Sequence, residues 1–152
     1  ARGQATALRE HLADAAPDAD VVLLHAPVAE LARVLPGAAH CRPVLLADLE
    51  QASITAAYAA MKWLHQRAGV SVFSLLLAGH PQLALTQRVM RQLADTAERF
   101  LGVALAESVA VEVRTGLRAD VAPALRRLAR DSLGVPAQNG VRPVGAMAAA
   151  HA

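Results

Sequence analysis

The stretch VSVFSLLL, residues 70–77, decides the fold, because it is the most strand-like run in the chain and lies between two long helical patterns. Before it, residues 53–67 carry Ile54, Ala57, Tyr58, Met61 and Leu64 on one helical stripe. Ser53 is placed to cap the first turn of this helix, and Gly69 to end it. After it, residues 82–101 form the longest helical pattern, opened by Pro81. Leu85, Val89, Leu93, Ala97 and either Phe100 or Leu101 mark its buried side. Outward from this centre, Val44–Ala47 and Val109–Val113 read as two further short strands. Val21–Leu24, bounded by Asp20 and His25, is apolar without alternation, which suits a strand buried on both faces.

Three more helices complete the pattern. Residues 4–15 place Leu8, Leu12 and Ala15 on one face and stop at Pro17 and Asp18. Residues 28–35 stop at Pro36 and Gly37. Residues 121–132 are capped by Asp120 and tolerate Pro123 in their first turn. Helices alternating with short apolar strands predict an α/β fold, a parallel sheet of about four or more strands with helices on both faces and right-handed crossovers. Residues 1–133 form one domain, and 134–152, which have no usable period, read as a flexible tail. Open parallel sheets bind ligands at the carboxyl ends of their strands, so the informative loops are 25–28, 47–53, 78–82 and 113–118.

Composition narrows the function. The 152 residues are 55% hydrophobic and 18% charged, which excludes a disordered chain. Aromatic residues are only 3%, too few for a single-strand nucleic-acid platform built on stacking. The sole cysteine, Cys41, excludes an intrachain disulfide and a cysteine-rich zinc site. No apolar run approaches the ~20 residues that span a bilayer, and no secretory leader pattern is visible, so a cytoplasmic location is expected. The net charge is +2, and only Arg126, Arg127 and Arg130 cluster. They read as a solvated helix face or as a nucleic-acid or anionic-lipid patch. The chain begins at Ala1 without a methionine, so chemistry carried by a preceding segment stays open.

The candidate chemistry is sparse. A phosphate cradle needs a glycine-rich turn, usually with a lysine, and neither G-x-x-x-x-G-K-[ST] nor G-x-G-x-x-G occurs. The only lysine, Lys62, lies inside a helix. His25 and His80 end the first and third strand runs, as general bases, as metal ligands or simply as polar strand ends. No third ligand is spaced to join them, so no metal is expected. Asp48 and Glu50 could serve as an acid–base pair or could cap their loop. Ser74 lacks a nucleophile-elbow pattern, and Cys41 reads as a small buried thiol.

The segment LEQASITAAYAAMK, residues 49–62, resembles the corresponding part of the MinD/ParA-like P-loop ATPases, and within them the regulators of flagellar number and placement, where it runs approximately P-E-P-T-S-I-T-D-A-Y-A-L-I-K. Glu50, Ser53, Ile54, Thr55, Ala57, Tyr58, Ala59 and Lys62 match. Looser matches follow the same order: DVVLLHAP at 20–27 looks like the D-x-x-L-I-D-T-P strand, and FSLLLAGH at 73–80 like the strand ending in Asn. RFLGVALAESVAVEV at 99–113 is similar to F-L-x-x-x-L-x-x-x-G-x-I-P-x-D. The resemblance covers roughly residues 5–132 and corresponds to the second half of a family member.

It implies a MinD-like fold and a role in flagellar biogenesis through contacts with flagellar assembly or regulatory proteins. Glu50, Ser53, Thr55, Tyr58, Met61 and Lys62 are the candidate interaction residues, and a homodimer is among the assemblies the resemblance allows. The departures point away from catalysis. The family's magnesium-organising Asp aligns with His25, and imidazole is a poor partner for Mg²⁺. The adenine-reading Asn aligns with Ala78 or Gly79, neither of which can hydrogen-bond a base through its side chain. The helix-opening Asp aligns with Ala56, and no membrane-targeting helix follows in the tail. No catalytic, cofactor or metal residue is therefore carried over, and ATP and Mg²⁺ enter only if an upstream segment supplies the phosphate loop. The expected chain is a pseudo-ATPase acting through protein contacts, with no nucleic acid or membrane as partner. The alternatives are the C-terminal half of an ATPase whose phosphate loop lies upstream, and a non-flagellar α/β scaffold module.

Overall fold

The computed structural model describes residues 23–34, 42–112 and 122–132, together with positions 11, 14, 15, 17 and 18. The elements run α1 (Val28–Val34), β1 (Val44–Asp48), α2 (Gln51–Ala68), β2 (Val72–Ala78), α3 (Ala84–Leu101), β3 (Ala104–Val111) and α4 (Ala122–Ser132). The three strands make one all-parallel open sheet in the order β1-β2-β3. An irregularity between Phe73 and Ser74 skips Ala106 on β3, so that Ser74 comes opposite Glu107.

Side-chain alternation along the strands sorts the two faces. Phe73, Leu75 and Leu77 of β2 are fully buried with Leu45 and Ala47 of β1 and Ala110 of β3, against Met61 and Leu64 of α2 and Met90, Leu93 and Ala97 of α3. On the opposite face Val109 and Leu128 are buried, with Leu76, Val111, Ala124 and Leu125 packed around them, so α4 covers β3 and part of β2. Helices therefore lie on both faces. Val44 and Leu46 of β1 are left exposed on the α4 side.

Both long helices end alike. Gly69 and Gly102 adopt left-handed backbone, φ 72° and 67°. Their N–H groups donate to the carbonyls of His65 and Glu98, and the next residues, Val70 and Val103, donate back to Leu64 and Ala97. These are Schellman turns, which satisfy the last helical carbonyls and redirect the chain. Val70 and Val103 are buried and lead directly into β2 and β3.

Several expectations need correction. The described sheet has three strands rather than four or more. Residues 23–27 are irregular, with Leu23 91% exposed, so the run 21–24 is not a strand buried on both faces where it is described; Val21 and Val22 lie outside the described residues. The last strand is Ala104–Val111 rather than 109–113, because it pairs along the full length of β2. On α3, Leu85 is 56% and Phe100 69% exposed. A line of i+4 steps advances about 40° beyond a full turn each time, so Leu85, two steps before Leu93, has rotated off the buried face. Thr86 takes that place, while Leu101 rather than Phe100 turns inward. Asp120, the loop 113–118 and the 134–152 tail lie outside the described residues, as does most of the 4–15 helix, of which His11, Asp14 and Ala15 are helical.

The rotated face of α3 is testable by chemical denaturation. Leu93→Ala should lose about 2–5 kcal/mol of stability. Leu85→Ala should change it by less than about 0.5 kcal/mol.

Candidate functional site: the carboxyl edge and the α2–α3 groove

The carboxyl ends of β1 and β2 carry Glu50, Ser53, Ala78 and Gly79 among the residues that the resemblance singles out. At the end of β1 the chain turns into α2 through a self-closed loop. The Asp48 carboxylate accepts the Glu50 N–H at 2.9 Å, an Asx turn, and the Asp48 N–H donates to the Ser53 hydroxyl at 3.0 Å. Ser53 therefore does not cap α2. Glu50 holds the N-cap position in extended backbone, with no side-chain capping bond. Asp48 thus uses one carboxylate oxygen to close the loop onto the Glu50 backbone. In the first turns of α2 the Thr55 hydroxyl donates to the Gln51 carbonyl at 2.8 Å.

The end of β2 is closed as well. The Gly79 N–H donates to the Val111 carbonyl at 2.8 Å, tying β2 to the end of β3. His80 Nδ1 accepts the Gln82 N–H at 3.2 Å, and the Gln87 side-chain amide donates to the Pro81 carbonyl at 2.7 Å. A side chain at Gly79 would be crowded: a Cβ there would lie 3.2 Å from Leu49 Cδ1 and 3.2 Å from Thr86 Oγ1. Thr86 is fully buried, so it has little freedom to move aside. His25 is exposed in the irregular segment before α1, while His80 is half-buried. The described residues contain no cluster of three or more His, Cys, Asp or Glu able to hold a metal.

The candidate interaction residues separate by burial. Glu50, Thr55 and Lys62 are exposed, Ser53 is half-buried, and Tyr58 is half-buried against the core. Met61 is fully buried and must be corrected from a contact residue to a core residue. It lies four residues after Ala57, at the centre of the inward stripe of α2.

Sequence reasoning did not anticipate two clefts. One, of about 280 Å³, runs between α2 and α3 and is lined by Thr55, Tyr58, Gln92 and Thr96 among others. It joins Tyr58 and Thr55 to residues of α3 more than thirty positions away, which no local pattern could reveal. The other, of about 340 Å³, lies beside β1, between it and Leu24 and Ala26. Elsewhere on the surface, Arg126, Arg127 and Arg130 are exposed on α4, and Arg127 Nε stands 3.8 Å from Glu107 of β3. Trp63 is 43% exposed, with the Arg67 guanidinium 5.1 Å from its ring centroid.

Two substitutions test this edge. Gly79→Asn should destabilise the fold by about 1–3 kcal/mol, because Leu49 and Thr86 occupy the space its side chain needs. Ser53→Ala should lower stability by roughly 1 kcal/mol, because the Asp48 N–H loses its acceptor. Thermal unfolding followed by circular dichroism reads both.

No family model matches this sequence, and no curated protein matches it.

Proposed function

We propose that this chain is a MinD/ParA-like regulator of flagellar biogenesis that works in the cytoplasm through protein contacts, without hydrolysing ATP itself. The observation that carries the reading is the segment 49–62. Glu50, Thr55 and Lys62, polar positions of the resembling segment, are exposed, and Tyr58 opens onto the α2–α3 groove. Lys62 lies outside the inner stripe of Ala57, Met61 and Leu64, and Tyr58 packs only partly against the core. Contact with a partner protein gives those side chains a use.

The absence of catalysis rests on chemistry at the strand ends. The sequence has no glycine-rich phosphate loop. The position of the family's magnesium-organising carboxylate is His25, exposed before α1, and the position of the purine-reading amide is Ala78 or Gly79. The loops after β1 and β2 use their own polar groups to close themselves. The partners proposed are flagellar assembly or regulatory proteins, with a second copy of the chain among the assemblies the family resemblance allows.

Two measurements test this reading. Titration calorimetry with Mg·ATP should detect no binding, and micromolar affinity would return the chain to the ATPases. In a two-hybrid screen against the flagellar proteins of its source, Lys62→Glu should abolish an interaction that the parent chain makes, with stability changed by less than about 0.5 kcal/mol. Retention of every interaction by Lys62→Glu and by Tyr58→Ala would remove α2 as the contact surface.

A further inference from the structure

We draw no further inference here: the strongest candidate, the groove between α2 and α3 continued past Gln92 and Thr96 onto the exposed Arg88, Arg99 and Phe100 of α3, belongs to the contact surface already described.

Discussion

The fold depends on β2 having no side that tolerates water. Phe73, Leu75 and Leu77 are wholly buried on the side of α2 and α3, and Ser74 is buried on the other. A strand of this kind is stable only with a strand on each edge and helices over both faces. β1 and β3 supply the edges, α2 and α3 one face, and α4 part of the other. The two Schellman turns at Gly69 and Gly102 make this possible by bringing the chain from each helix into the next strand within two or three residues.

The same architecture determines what the carboxyl edge can do. Strand ends in a parallel sheet point backbone and side chains toward a common rim. Here the rim groups are consumed locally: Asp48 by Glu50 and Ser53, His80 by Gln82, Gly79 by Val111. To the side of this rim lie two clefts, one between α2 and α3 and one beside β1. Both clefts share α2: Thr55 and Tyr58 line one, and Ala56 and Ala60 the other.

Legibility differed by kind of feature. Val44–Asp48, Gln51–Ala68, Val72–Ala78 and Ala84–Leu101 were readable to within two residues, because the two strands are short apolar runs and the two helices are periodic stripes ended by Gly69 and Gly102. β3 was read too short, since Ala104–Ser108 (ALAES) has no β-branched or aromatic residue and gains its strand character from pairing with β2. Residues 23 and 24 were misread for the opposite reason: an apolar run becomes a strand only if a neighbour accepts its backbone. For the candidate site, the exposed status of Glu50, Thr55 and Lys62 agrees with their polar character, whereas Met61 looked like a contact residue only because the matched segment contained it.

The sequence by itself determined the succession of elements, the parallel α/β class and the turns at Gly69 and Gly102, because hydrophobic period and left-handed glycine positions are local properties of the chain. The tertiary structure alone decided which face of α3 is buried, that Gly79 is hemmed in by Leu49 and Thr86, that Tyr58 and Thr96 line one groove, and that β1 has a strand partner on one side only among the described residues. Each of these depends on which distant segments come to lie side by side, and no periodicity within one element specifies its neighbour.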